Sequence, residues 1–168
     1  DFSVDFNKQE YNIGELLFAQ VMYAIIMQKE NGSFILKVFD CFMQHTLDML
    51  ALLSSLYDKV YITKPQTSRF ANSEKYVVCK NYIGPKVDVI YPYLLKGFQS
   101  MKNKKSNLFR ILNLQLTLLF TTKTEEYNAI FGQQQIENIH YTLNLIDAKN
   151  KQEKINSLIK MNTKKSMD

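Results

Sequence analysis

Gly32-Ser-Phe-Ile-Leu-Lys37-Val-Phe-Asp-Cys-Phe42 and Lys64-Pro-Gln-Thr-Ser-Arg-Phe-Ala-Asn-Ser-Glu74-Lys-Tyr-Val-Val-Cys-Lys80 decide how this 168-residue chain folds. In the first, residues 33–39 form a short apolar, partly β-branched run with one lysine set into it. That is the pattern of a strand covered on both faces. The second stretch is a polar loop, 64–73, that delivers Glu74 to the mouth of another apolar run, 74–80. A lysine inside a buried strand is costly unless something pairs with it or uses it.

Working outward, residues 11–29 place Ile13, Leu16, Leu17, Val21, Ala24, Ile25 and Met27 at helical spacing, and Asn31-Gly32 stops that helix. A second helix fits 43–57, with Leu47, Leu50, Ala51, Leu53, Leu56 and Tyr57 inward, and residues 59–63 read as a second strand. Helix–strand–helix–strand alternation predicts a parallel pair of strands with a right-handed crossover. The third strand follows a loop of about ten residues without a helix, so it returns antiparallel. The expected fold class is therefore α/β, two parallel strands plus one antiparallel strand. Parallel strands end at one sheet edge, the edge where open α/β sheets bind ligands. Lys37, near the end of its strand, and Glu74, at the start of its own, are expected to meet there.

Past Gly84-Pro85 the alternation stops. Tyr91-Pro92 punctuates a loop or short helix, and Met101 to Ser106 reads as a solvated linker. Thr122-Lys-Thr-Glu125 has capping-box spacing, with a long helix expected from 123 to about 148 in which Gly132 is a weak point. The last twenty residues read as a Lys/Asn-rich helical segment. Residues 84–168 are thus expected to be a helical extension packed on a sheet domain formed by 1–83.

Composition narrows the classes further. At 46% apolar the chain can bury one sizeable core. Its longest apolar run, Leu16 to Met27, is broken by Gln20 and is too short to span a bilayer. A formal charge of +5 permits a polyanionic partner without requiring one. Nineteen of the 21 basic residues are lysine, which fits an AT-rich genome as well as a nucleic-acid surface. Cys41 and Cys79 lack metal-like spacing and read as reduced core thiols. His45 and His140 both sit in helical stretches, and no metal site is expected. Met22, Met27, Met43 and Met49 fall at core spacing, and the linker lysines 102, 104 and 105 read as solvated. There is no glycine-rich phosphate loop, Walker motif or serine elbow.

Two readings of Lys37 stand side by side. One is a strand-end lysine reaching its ammonium to water. The other is an active-site base, since an amine in its neutral form can take a proton. Glu74 alone is an ordinary loop carboxylate; convergence with Lys37 at the ligand edge favours a functional pair.

The two quoted stretches resemble the last strands of FtsJ/RrmJ-like ribose 2'-O-methyltransferases, nearest to the mRNA cap-1 enzymes and their relatives in large DNA viruses. Lys-Pro followed by Ser-Arg-x-Ala-Asn-Ser-Glu is the specific part, and Gly-x-Phe-x-x-Lys stands at the expected distance. The segment Gly132-Gln-Gln-Gln-Ile-Glu-Asn-Ile-His140 looks like giant-virus members. The resemblance implies the carboxy-terminal half of a Rossmann-like methyltransferase sheet with a helical extension. It implies S-adenosylmethionine as cofactor and capped RNA as substrate, without metal or membrane, and allows other capping-enzyme domains or subunits as partners. It also implies action in the cytoplasm, or in the nucleus for a cellular homologue.

The family uses a Lys-Asp-Lys-Glu tetrad. By motif position Lys37 matches the lysine that deprotonates the 2'-hydroxyl, and Glu74 the glutamate that orients it. Ser68 and Arg69, in the loop before Glu74, are placed to contact RNA or brace the loop. The family's aspartate, first lysine and glycine-rich cofactor loop are expected upstream of Asp1, leaving no cofactor-binding residue in this chain. The alternatives are a non-catalytic relative kept as a scaffold or RNA-binding subunit, and a methylase of ribosomal or transfer RNA.

Overall fold

A computed structural model describes residues 8–102, 109–147 and 152–167. The elements run α1 (Gln9–Met27), β1 (Phe34–Val38), α2 (Gln44–Leu56), β2 (Tyr57–Thr63), β3 (Lys75–Tyr82), α3 (Val87–Lys102), α4 (Leu118–Asp147) and α5 (Gln152–Met167). The sheet order is β1-β3-β2, with β3 antiparallel to both neighbours. β1 and β2 point the same way, as the helical crossover requires, yet they never touch. The α2 crossover leaves a gap one strand wide, and β3 fills it. No two adjacent strands among the described residues are parallel: the expected two parallel strands and one antiparallel strand are there in direction, with β3 lying between the pair.

Among the described residues the sheet is covered on one face, not two. Leu36 and Val38 are buried, whereas Ile35 is 63% exposed and Lys37 lies on the same open face. The lysine is therefore not enclosed in a buried strand. On the covered face, Leu17, Val21 and Ile25 of α1 and Met49, Leu50, Leu53 and Leu56 of α2 pack against Val77 and Cys79, and Leu94 of α3 joins the same core. Each such side chain contributes roughly 1.5–3 kcal/mol through burial. Leu16 and Met27, assigned inward by spacing, are turned out, with Met27 78% exposed.

Two buried carboxylates tie the elements together. Glu10 of α1 accepts the Phe42 and Met43 N–H groups at 2.8–3.1 Å, satisfying backbone donors just ahead of α2. Asp48, fully buried on α2, accepts the Ile111 and Leu112 N–H groups at 2.8 and 3.0 Å and holds that segment to the helix. Asn31, in the left-handed region at φ 61°, turns the chain after α1; its N–H reaches the Tyr82 carbonyl at 3.0 Å.

Two helix boundaries differ from expectation. Residues 87–102 form a full helix with Pro92 inside it, where a loop or short helix was expected. α4 starts at Leu118, ahead of the expected capping box. The Thr117 hydroxyl accepts the Phe120 N–H at 3.3 Å, and Thr122, the expected cap, lies inside the helix. α4 runs unbroken through Gly132. Asp1, Lys104 and Lys105 lie outside the described residues, as does residue 148. No helix of the described residues is long and apolar enough to cross a membrane.

Candidate active site

β1 and β3 pair so that Lys37 stands opposite Tyr76, and Val38 opposite Lys75. Side chains alternate across the sheet, so Glu74, Tyr76 and Lys37 share the open face while Lys75 points to the covered one. Lys37 Nζ lies 2.7 Å from Glu74 Oε2, with the two side chains 48% and 20% exposed. The Tyr76 hydroxyl donates to the other carboxylate oxygen, Oε1, at 2.9 Å. Glu74 is thereby gripped on both oxygens. The hydrogen bond from Lys37 holds its carboxyl below the usual glutamate range; burial opposes, and the Tyr76 hydroxyl adds to the lowering. The same bond raises the Tyr76 phenol, since its proton is held by an anion. The Phe39 ring centre lies 5.3 Å from Lys37 Nζ, within cation–π reach.

The loop between β2 and β3 is internally braced. Lys64 Nζ donates to the Asn72 carbonyl at 2.8 Å, to Asn72 Oδ1 at 2.9 Å and to the Glu74 carbonyl at 2.7 Å. Burial lowers the Lys64 pKa, nearby Lys75 adds to this, and Glu74 opposes it. Ser68 N–H closes a turn onto the Pro65 carbonyl at 2.9 Å, while its hydroxyl is enclosed without a hydrogen-bond partner. Arg69 is exposed on the loop. Neither Ser68 nor Arg69 is part of the Lys37–Glu74 cluster.

On the covered face, Lys75 is only 5% exposed, with its Nζ 3.8 Å from Asp40 and over the Phe131 ring at 5.5 Å. Phe131 belongs to α4, as do Asn128, which donates to the Cys41 carbonyl at 2.7 Å, and Gln135, which reaches the Ala71 carbonyl at 3.4 Å. Spaced three and seven residues on from Asn128, Phe131 and Gln135 lie on the same helical face. That face touches the loop after β1, the start of β3 and the loop before Glu74. Cys41 and Cys79 are buried free thiols, pushed up to about 12 and about 11 chiefly by burial. His45 is buried against Gly14 with Nε2 unpartnered. Among the described residues no group of three His, Cys, Asp or Glu is arranged to hold a metal.

Sequence reasoning missed Tyr76 and Lys64. Tyr76 had a signal, because it lies two residues after Glu74 and therefore on its face. Lys64 was visible only as part of a motif, since its partners are mostly backbone carbonyls.

Residues 1–82 match the sequence profile of the FtsJ-like methyltransferases. The chain is 29% identical over 154 residues to the cap-specific mRNA (nucleoside-2'-O-)-methyltransferase 1 of Trypanosoma brucei brucei, covering 90% of this chain and 41% of that protein. It is 31% identical over 153 residues to the cap-specific mRNA (nucleoside-2'-O-)-methyltransferase 2 of Pongo abelii, covering 90% of this chain and 20% of that protein. Over 86 residues it is 41% identical to the Trypanosoma cruzi methyltransferase 1, covering 49% of this chain and 24% of the relative. The chain thus spans about a fifth to two fifths of the length of these relatives. With 90% of the chain covered in the first two, similarity reaches past Tyr82 into the helices.

Proposed function

We propose that the protein acts as an RNA ribose 2'-O-methyltransferase of the mRNA cap type, with Lys37 as the general base and Glu74 as its orienting partner. The observation that carries this reading is the 2.7 Å contact between Lys37 Nζ and Glu74 Oε2 at the rim of the sheet, formed by residues inside the family-matched segment. An alcohol is a poor nucleophile, so a base must take its proton as the new O–C bond forms. In its neutral form the Lys37 amine would accept the 2'-hydroxyl proton as the oxygen bonds the methyl carbon, the methyl–sulfur bond breaking and its electron pair staying on the donor's sulfur. Half exposed, the nitrogen is open to an approaching ribose. From behind, it is held by a carboxylate that Tyr76 also fixes. Such alignment supplies rate independently of the proton transfer itself. DNA lacks the 2'-hydroxyl, so the acceptor selects RNA. Arg69 on the adjoining loop is proposed to meet the RNA backbone, with Ser68 bracing the loop beneath it.

S-adenosylmethionine is the proposed methyl source; it supplies a sulfonium methyl. The chain's own contribution is the base and its mounting.

The test is methyl transfer to capped RNA by the full-length protein and its Lys37→Ala variant. Transfer is expected to vanish in the variant while RNA binding persists. Near wild-type transfer by the variant would refute the assignment of the base.

A further inference from the structure

Glu74 occupies an unusual mechanical position. The β1–β3 ladder begins at Val38 opposite Lys75, so Glu74 lies one residue beyond the last strand pair. A carboxylate that must hold another side chain in register needs a fixed backbone, and strand pairing does not provide one here. The fixing comes from Lys64. Its ammonium has three N–H donors and no acceptor. All three are engaged, on the Asn72 carbonyl, Asn72 Oδ1 and the Glu74 carbonyl, at 2.7–2.9 Å. Asn72 Oδ1 also accepts the Glu74 N–H at 3.2 Å. The peptide groups on both sides of Glu74 are therefore tied, one directly to Lys64 and one through Asn72.

We propose that Lys64 is a positioning residue. Its ammonium is a non-covalent crosslink closing the neck of the 64–74 loop, and it sets Glu74, and through Glu74 the Lys37 nitrogen. This accounts for the spacing of a motif whose chemistry the Lys37–Glu74 pair alone leaves unexplained. The lysine comes directly after β2, where its stem reaches across the neck. The asparagine comes two residues before the glutamate, where its side-chain oxygen can serve both the ammonium and the Glu74 amide. Ammonium–carbonyl bonds are stronger than neutral ones, so three of them give the loop base an order that its polar composition does not. Of the charged groups acting on Lys64, Glu74 attracts and Lys75 repels, so the three oxygen acceptors carry the crosslink. Asn72 ought then to be as important to the loop as Lys64.

The kinetic consequence rests on the catalytic reading of Lys37 and Glu74; the ordering of the loop does not. The experiment therefore has two arms, both on the full-length protein with Lys64→Met, Lys64→Arg and Asn72→Ala. Amide hydrogen exchange is expected to speed up on the order of tenfold or more at residues 72–74 in Lys64→Met and Asn72→Ala. Exchange at Val77 and Cys79, within the ladder, stays unchanged and certifies folding. In the kinetic arm, kcat for RNA methylation falls by ~10²-fold in both variants, the scale of an ångström-sized misplacement, while KM for RNA changes little. Lys64→Arg, which keeps the charge and several donors, recovers part of kcat. Unaltered exchange at 72–74 in both neutral variants overturns the crosslink. Faster exchange with unchanged kcat overturns the positioning role. A wild-type protein that methylates no RNA counts against the proposed function, and the exchange arm still decides whether Lys64 holds Glu74.

Discussion

Replacing Lys37 with Met and Glu74 with Gln, singly and together, isolates the energy of their 2.7 Å contact. Two unit charges at that separation attract by about 1.5 kcal/mol in bulk water and about 6 kcal/mol at an effective dielectric of 20. With Lys37 48% exposed and Glu74 20%, the solvated limit governs. Ordering two long side chains offsets part of even that. The expected coupling is about 1 kcal/mol at neutral pH, read as the non-additive part of the urea unfolding free energies of the four proteins. Salt at about 0.5 M should shrink it, as screening of an exposed pair requires. The pH dependence has a definite sign. The Glu74 carboxyl is depressed in the folded protein, so its contribution is full above the unfolded glutamate value, near ~4.3, and is lost as pH falls through the lower folded value. A coupling above ~3 kcal/mol that ignores salt would refute the picture of a half-solvated pair. One that strengthens on acidification would reverse the sign assigned to Glu74.

Other perturbations probe separate parts of the molecule. Asp48→Ala strands two half-buried N–H groups and should destabilise the fold by ~2–4 kcal/mol by urea titration, with Asp48→Asn costing clearly less; equal losses would argue against carbonyl-like acceptance as the role of Asp48. Cys41 and Cys79, with thiols pushed up to about 12 and about 11, should resist thiol reagents near pH 8 until denaturant is added, and rapid labelling of the native protein would show that these sites open. Calorimetry with S-adenosylmethionine on residues 1–168 should detect weak binding or none, and a micromolar dissociation constant would overturn the expectation that this chain holds no cofactor-binding residue.

Much of the candidate site was legible because it is written in local pattern. The run 33–39 announced a strand, the polar loop announced a reversal, and strand direction then forced Lys37 and Glu74 to one edge. The insertion of β3 between β1 and β2 was not legible, because pairing order depends on tertiary fit and not on any one segment's periodicity. The two-sided cover assigned to β1 failed for a related reason. An apolar run looks the same whether one face or both are packed, and Ile35 turned out to face solvent. The capping box at 122–125 fitted its spacing rule but lost to Thr117, five residues earlier, where the helix actually begins. Buried Glu10 and Asp48 gave no sequence signal at all, since their backbone partners lie 32 to 64 residues away.

The face of α4 that carries Asn128, Phe131 and Gln135 leaves the reacting atoms alone and presses on what surrounds them: the turn after β1, the buried Lys75 and the crown of the loop ahead of Glu74. A substitution there could shift the aim of the pair by fractions of an ångström without altering its chemistry. Under the proposed function, turnover would be adjustable from a distance, through a strut that holds neither proton nor substrate.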